Sequence, residues 1–201
     1  MKNYPMYIQN DQSEIERFIQ SQSMCTVLTD SHNGVFNPVY IDGDFYFHLN
    51  RTDEQFKELE IHKKGTLIFF EFLCNIPSYW IDPVDGGVAT SYYRYAEFNC
   101  EVETYTSREE LAEILPIFLE KYQKEGGHEK ITLDSAIYQS DYKVLGIAKF
   151  SPLKTLAKWK IAQNRPIEKR LEIIEKLKER NHGLDHKAVE EIERWITLYQ
   201  K

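Results

Sequence analysis

Two glycine-containing dipeptides, Asn33-Gly34 and Asp42-Gly43, divide residues 25–49 into three short segments in which apolar residues tend to alternate with polar ones. Asn-Gly and Asp-Gly favour β-hairpins because a type I′ turn needs a positive φ at both of its central positions. We therefore predict a hairpin at each dipeptide and strands at residues 25–30, 35–41 and 44–49. Strands joined by such short turns run antiparallel, which predicts a meander rather than βαβ units.

Further segments have the length and composition of strands. Residues 66–73 are almost continuously apolar, which predicts a central strand. Residues 90–105 are rich in tyrosine and alternate, which predicts one long strand. The last strands are predicted at residues 143–150 and 153–160, with an interruption at Ser151-Pro152.

Helical periodicity and capping patterns predict helices before, between and after the strands. The capping patterns begin at Asp11, Thr52 and Ser107, and Pro166 suits the first position of a later helix. The predicted helices cover residues 12–22, 52–63, 107–124, 166–180 and 185–199. Residues 75–89 are predicted to form a loop, and residues 134–141 are ambiguous. The fold class is mainly β with peripheral helices, in the form of a small antiparallel β-barrel.

The chain has 201 residues, enough for one domain or for one domain with a helical appendage, and a formal net charge of −7. This charge disfavours a non-specific binder of nucleic acid or of anionic membranes, since both need a basic surface. Cys25, Cys74 and Cys100 form no CxxC pair and are typical of reduced core thiols. The sequence also shows no signal-peptide pattern and no apolar run of transmembrane length, so we expect a soluble cytoplasmic protein.

The strongest candidate for a binding site is the segment Lys158-Trp159-Lys160-Ile161-Ala162-Gln163-Asn164-Arg165-Pro166. It places two lysines, an arginine, an indole and two carboxamides where a strand should lead into a helix. Backbone N–H groups point outward at such junctions and bind anions. The cluster therefore suits a phosphate-bearing, hydrogen-bonding ligand such as a nucleotide or a flavin. A solvated basic segment around a buried tryptophan explains the same residues equally well.

Two weaker clusters offer related chemistry. A guanidinium at a strand-to-helix junction can bind phosphate oxygens, although an ordinary capped helix accounts for this second cluster slightly better. It contains His48, Asn50, Arg51 and Thr52. A third cluster offers aromatic faces, hydroxyls and a guanidinium to a planar heterocycle, and a tyrosine-rich barrel wall is its commoner explanation. It contains Ser78, Tyr79, Trp80, Ser91, Tyr92, Tyr93, Arg94 and Tyr95. The six histidines form no HExxH motif, so no metal site is predicted.

Taken together, these clusters resemble the PaiB-like group of FMN-binding split-barrel proteins, transcriptional regulators within the pyridoxamine-5'-phosphate-oxidase-like superfamily. The segment from Lys158 to Pro166, followed by Arg170, is similar to the group's terminal signature Lys-Trp-Lys-x-x-Gln-Asn-Arg-Pro. The resemblance also covers His48-x-x-Arg51, the opening Met6-Tyr7-Ile8, and Asn37-Pro38. The chain differs from the group at Asp53-Glu54, where the group has Asn-Pro, and at Pro77-Ser78-Tyr79-Trp80, where the two aromatic residues are exchanged. Ser91-Tyr92-Tyr93-Arg94 is closer to the Tyr-Arg of pyridoxamine-phosphate-oxidase-like relatives.

This resemblance implies a split-barrel domain at residues 1–165 that binds FMN, a helical extension at 166–201 packed on the barrel, and a homodimer with the cofactor at its interface. Arg51 and Thr52 would hold the phosphate, together with Lys158 or Lys160. Arg94 or Arg165 would act on the flavin ring electrostatically. The remaining implied contacts are Tyr79, Trp80 and Tyr92 beside the ring, and Ser78, Ser91, Gln163 and Asn164 as hydrogen-bonding groups.

The function that the resemblance implies is that of an FMN-binding protein, a flavin-dependent oxidoreductase with no catalytic residue assigned. The first alternative is a PaiB-like negative transcriptional regulator in which the flavin is structural or absent. Basic residues of the last two helices would then bind DNA, although interleaved glutamates nearly cancel their charge. The second alternative is a protein that kept the barrel and lost the cofactor, as Asp53-Glu54 would suggest.

Overall fold

A single antiparallel sheet connects the strands of residues 5–199, the part of the chain that the computed structural model describes. The strands are β1 (Ile8–Gln9), β2 (Cys25–Leu28), β3 (Asn33–Phe36), β4 (Val39–Ile41), β5 (Asp44–Asn50), β6 (Lys64–Ile76), β7 (Thr90–Tyr105) and β8 (Leu145–Lys160). Their order in the sheet is β3-β2-β6-β7-β8-β5-β4, and β1 pairs with β8. The predicted class, an antiparallel β protein with helices, is confirmed.

The helices follow the predicted segments closely except for the short helix at Asp141–Val144, which was not predicted and includes two residues of the strand predicted at 143–150. They are α1 (Gln12–Gln20), α2 (Glu54–His62), α3 (Arg108–Tyr122), α4 (Asp141–Val144), α5 (Ile167–Arg180) and α6 (Asp185–Tyr199). The capping box of α3 is formed, with Ser107 and Glu110 each accepting a hydrogen bond from the other's backbone N–H. The predicted capping box at Thr52 is wrong, because the side chain of Asn50 accepts hydrogen bonds from the N–H and hydroxyl of Thr52, and Asp53 becomes the N-cap. Pro166 is likewise the N-cap of α5 and not its first residue.

Only one of the two predicted hairpins forms at its dipeptide. At Asp42-Gly43 both φ angles are positive, 51° and 98°, and Ile41 pairs with Asp44, as predicted. Asn33 and Gly34 instead lie within β3, paired with Leu28 and Val27, so that prediction is wrong. The turn falls at residues 29–32, where the N–H of Thr29 donates to the carbonyl of His32 and the hydroxyl of Thr29 accepts from the N–H of His32. The carboxylate of Glu58 stabilises this turn by accepting from the Thr29 hydroxyl and the Ser31 N–H.

The predicted three-strand meander is also wrong. The β2–β3 hairpin joins the sheet through β6, whereas the β4–β5 hairpin joins it through β8, so β3 and β4 stand at opposite ends of the strand order. Asn37 and Pro38 separate them. Proline removes a ladder donor, and the side chain of Asn37 donates to the carbonyl of Ser23, so the chain leaves the sheet at this point.

The long strands agree better with their patterns. β7 covers the predicted residues 90–105, and β6 extends the predicted segment 66–73 at both ends. The predicted interruption of the last strand at Ser151-Pro152 is wrong, because β8 runs through it. Pro152 lies between the residues of β8 that pair with β5 and those that pair with β1, where a missing N–H is tolerated.

The described chain divides into two compact units, both crossed by the long strands. Among the described residues, unit 1 comprises 5–15, 70–96 and 156–199, and unit 2 comprises 16–69 and 97–155. Within unit 2, Phe45 packs against Phe69 and Phe98. Within unit 1 the buried side chains include Trp159, Tyr92, Ile173, Ile174, Leu177, Ala188 and Ile192. The three cysteines are buried and free, and no described helix has both the length and the apolarity that a membrane span needs. The domain boundary expected at residue 165 stays a prediction.

Gly146 of β8 permits a close approach within unit 2. A Cβ atom at this position would lie 2.4 Å from Cζ of Phe56, whose side chain is fully buried. We expect Gly146→Ala to lower the free energy of unfolding by roughly 1–3 kcal/mol, because the overpacked ring has nowhere to move. The change can be measured by urea denaturation.

Gly86→Ala is the matched control, since no atom lies within 4 Å of a Cβ built there. Its expected effect is within about 0.5 kcal/mol. Equal stability of the two variants would contradict the proposed packing of Phe56 on Gly146.

Candidate functional site

A cavity with a volume of about 650 Å³ lies within unit 1. Short pieces of the N-terminal segment, the β6–β7 loop, β7, the end of β8 and the following turn form its wall. The lining residues are Met6, Tyr7, Gly87, Val88, Ala89, Thr90, Tyr92, Tyr93, Lys158, Lys160, Asn164 and Arg165. Pairing of Ile8 with Lys158 brings the N-terminal segment to the end of β8.

The cavity wall is cationic. Lys158, Lys160 and Arg165 line it, and no carboxylate is among its described lining residues. Side chains alternate along a strand, so Lys158 and Lys160 share one face of β8, while Trp159 between them is buried on the other. Burial lowers the pKa of Lys160, and the nearby charge of Arg165 lowers it further. Such a wall attracts an anion.

A braced turn presents Asn164 and Arg165 to the cavity. The side chain of Gln163 donates to the carbonyl of Trp159 and accepts from the N–H of Ile161 at 2.7 Å. Ala162 has a φ of 71°, in the left-handed region, and its carbonyl accepts from the N–H of Arg165. The carboxamide of Gln163 is therefore occupied by backbone groups.

Arg170 of α5 holds this turn from behind. Its Nε donates to the carbonyl of Arg165 at 2.8 Å and its Nη2 to the carbonyl of Gln163 at 2.7 Å. The side chain is 2% exposed, and its buried Nη1 has no hydrogen-bond partner. Burial lowers the pKa of Arg170, and among the described residues only Tyr92, in its ionised form, would oppose this effect.

Tyrosines form the aromatic part of the wall. Tyr92 points to the buried side of β7, and burial raises its pKa. Tyr93 points to the other side, where its ring lies 6.0 Å from that of Phe70. Tyr7, Tyr92 and Tyr93 are all among the lining residues, and aromatic residues at a cavity suit a planar heterocycle.

The other residues of the third cluster lie outside the cavity lining. Trp80 is buried in the β6–β7 loop, with the guanidinium of Arg180 at 4.8 Å and Lys176 at 5.9 Å from its ring centre. Tyr79 is exposed, and Ser78 begins the short helical turn that carries both aromatic residues. The hydroxyl of Ser91 donates to the side chain of Asn75.

Arg94 belongs to a buried ion network in unit 1. Its Nε and Nη2 donate to the carboxylate of Glu71, and its Nη1 donates to Glu191 of α6 at 2.8 Å. Lys187 donates to the second oxygen of Glu71. Burial alone would raise the pKa of Glu71, but the hydrogen bonds from Lys187 and Arg94 hold it below its usual value. This network joins α6 to the sheet, and Arg94 is not among the cavity's lining residues.

The second cluster lies in unit 2. Arg51 donates to three backbone carbonyls, those of Leu145, Thr106 and Tyr142. Asn50 and Thr52 bond to each other, as described above, and His48 is exposed with its ring edge-on to Phe118. These contacts explain the cluster as local structure, and the cavity lining includes none of its members.

A group of potential metal ligands also occurs in unit 2. Atoms of Asp30, Glu58 and His62 lie within 4.8 Å of one another. Glu58 already accepts hydrogen bonds from Thr29 and Ser31 and contacts His32, and Asp30 pairs with Lys64 at 3.0 Å. Ordinary polar contacts therefore account for the arrangement.

Residues 1–174 match the model of a protein family described as "Putative FMN-binding domain". The chain belongs to this family. No curated protein sequence shows significant similarity to it.

Solved structures share the fold of this family member at low sequence identity. The flavocytochrome Anf3 of Azotobacter vinelandii has a TM-score of 0.63 at 13% identity, covering 80% of this chain and 72% of its own. An FAD and heme binding protein of Mycobacterium smegmatis has a TM-score of 0.59 at 9% identity, covering 82% and 78%. A "putative 5-nitroimidazole antibiotic resistance protein" of Bacteroides thetaiotaomicron has a TM-score of 0.59 at 17% identity, covering 75% and 85%. These likenesses confirm the predicted split-barrel fold.

The structure brings together part of the predicted site. Five predicted contact residues line the cavity: Tyr92, Lys158, Lys160, Asn164 and Arg165. Tyr93 lines it as well, and it belonged to the third cluster without an assigned contact. Trp159 and Gln163 support the same segment from inside. Sequence reasoning missed Gly87–Thr90, and Met6 and Tyr7 were marked only by the family resemblance. Met6 and Tyr7 reach the wall because β1 pairs with β8. Residues 87–90 reach it through the course of the β6–β7 loop, whose sequence shows no binding pattern.

The bracing of the turn by Gln163 can be tested directly. We expect Gln163→Ala to cost about 1–2 kcal/mol of unfolding free energy, because the buried N–H of Ile161 loses its acceptor. Amide hydrogen exchange at Ile161 should become faster in this variant. Asn164→Ala is the control, since its side chain makes no described hydrogen bond, and exchange at Ile161 should stay unchanged in it. Unchanged exchange in both variants would contradict the bracing role.

Proposed function

We propose that this protein binds FMN in the cavity of unit 1. The observation that carries the proposal is the wall itself, which combines three cations without a lining carboxylate and three tyrosines. FMN is a dianionic phosphate ester of a planar heterocycle, and these two parts match the two kinds of surface. The volume of about 650 Å³ lies within the roughly 300–1,000 Å³ of typical ligand pockets.

Lys158, Lys160 and Arg165 would hold the phosphate, and Asn164 would supply a hydrogen-bonding group. Tyr92 and Tyr93 would border the ring system. We assign no ligand contact to Arg51 or Arg94, because backbone carbonyls and carboxylates occupy their guanidinium groups. The guanidinium of Arg170, which holds the turn behind the wall, adds a further positive charge that suits an anionic ligand.

A flavin-dependent oxidoreductase is the activity that we propose for the bound state. FMN, when bound, supplies hydride and electron transfer, and the protein supplies binding, orientation and electrostatics. Cations close to the site would favour a more negatively charged flavin. A homodimer with the cofactor at its interface belongs to the same proposal, and light scattering of the purified protein tests its stoichiometry.

The role of the cations is tested by titrating the flavin-free protein with FMN and following visible absorption. We expect saturable binding by the wild type, and a roughly ten-fold or greater loss of affinity in Lys160→Gln, because a charge-assisted contact to the phosphate is lost. Lys154→Gln is the matched control, an exposed lysine of the same strand outside the cavity, and its affinity should equal that of the wild type. Equal affinity in all three proteins would contradict the assignment of the phosphate to these cations.

The alternative function is a PaiB-like transcriptional regulator, and it would need a basic surface for DNA. On α5, Lys169 pairs with Glu172, and Lys178 pairs with Glu175 and with Glu193 of α6. These pairs neutralise the helix face that the alternative requires. We therefore expect no salt-sensitive retardation of DNA in a gel-shift series at low ionic strength. Retardation that weakens steeply with salt would favour the regulator.

A further inference from the structure

Arg170 is a buried cation without a counter-ion. Its side chain is 2% exposed, and its two hydrogen bonds go to neutral carbonyls, those of Gln163 and Arg165. No described carboxylate forms an ion pair with it, and none influences its protonation. Its Nη1 is buried and has no acceptor at all.

The comparison with Arg94 shows that this is unusual within the unit. Arg94 is equally buried, at 3% exposure, and is matched by the carboxylates of Glu71 and Glu191. The less buried Arg180 and Arg194 are matched by Asp185 and Glu14. Burying a charge is costly unless a partner compensates it, and an unsatisfied donor adds a further cost.

Arg170 lies directly behind the cavity wall. Its two acceptors, the carbonyls of Gln163 and Arg165, flank Asn164, and Asn164 and Arg165 both line the cavity. Its charge also acts on Tyr92, a third lining residue. The three lining cations add to the same positive field, and none of the described lining residues opposes it.

We infer that Arg170 is a positioning residue whose uncompensated charge makes this cavity selective for phosphorylated over neutral flavins. The bound phosphate monoester provides the negative charge that compensates Arg170, since no described carboxylate does so. The inference rests on the proposed function for its ligand, FMN. It adds the selectivity against riboflavin, which has the same ring and ribityl chain without the phosphate.

The first experiment measures the dissociation constants of FMN and of riboflavin for the wild type and for Arg170→Gln. We expect the wild type to prefer FMN, and the variant to lose roughly ten- to hundred-fold in FMN affinity while its riboflavin affinity changes little. Arg170→Lys keeps the charge and should retain much of the preference. Lys178→Gln removes a compensated cation from the same helix and should leave the preference unchanged.

A purely structural role of Arg170 gives a different result. If the arginine only held the turn, its loss would weaken both ligands by the same factor and leave the ratio of the two constants unchanged. That result would overturn the inference, and so would equal affinity of the wild type for FMN and riboflavin. The second comparison needs no variant and therefore holds even if Arg170→Gln does not fold.

A second measurement separates this inference from the proposed function. Inorganic phosphate should raise the melting temperature of the flavin-free wild type. The increase should be smaller for Arg170→Gln, and for Lys178→Gln it should equal that of the wild type. If the wild type ignores both flavins but shows this pattern with phosphate, the FMN proposal fails and the anion selectivity stands. If it ignores the flavins and phosphate does not stabilise it, both fail.

Discussion

The contact between Arg170 and the turn after β8 is the interaction on which the candidate site depends. Two carbonyls of that turn accept hydrogen bonds from one guanidinium, and the carboxamide of Gln163 braces the same turn from within. Because the backbone is held at these points, Asn164 and Arg165 face the cavity in a defined way. Arg170 of α5 thereby fixes the part of the cavity wall that follows β8.

Arginine has two different uses in this chain. Arg51 donates to backbone carbonyls within unit 2, and Arg94 pairs with buried carboxylates within unit 1. Arg170 also donates to two backbone carbonyls, but no described carboxylate pairs with it, and no carboxylate is among the described lining residues of the cavity. Arg94 and Arg170 are equally buried, so the carboxylate partners of Arg94, and not its exposure, distinguish these two arginines.

The sequence predicted what local patterns determine. The alternation of residues 90–105 and the capping box at Ser107 gave β7 and α3 because neighbouring residues decide both. Local patterns gave wrong predictions where contacts between residues distant in sequence determine the structure. Glu58 shifts the first turn away from Asn33-Gly34, and Leu145 and Glu191 occupy Arg51 and Arg94 from almost one hundred residues away. The turn at residues 161–166 was recognisable from its own chemistry, whereas Met6 reaches the cavity only through strand pairing.

A crystal structure of the protein grown with FMN tests the central claim most directly. The account predicts flavin density in the cavity of unit 1, with the phosphate next to Lys158, Lys160 or Arg165 and the ring against Tyr92 or Tyr93. Flavin bound elsewhere on the chain, with this cavity free of it, would contradict the account.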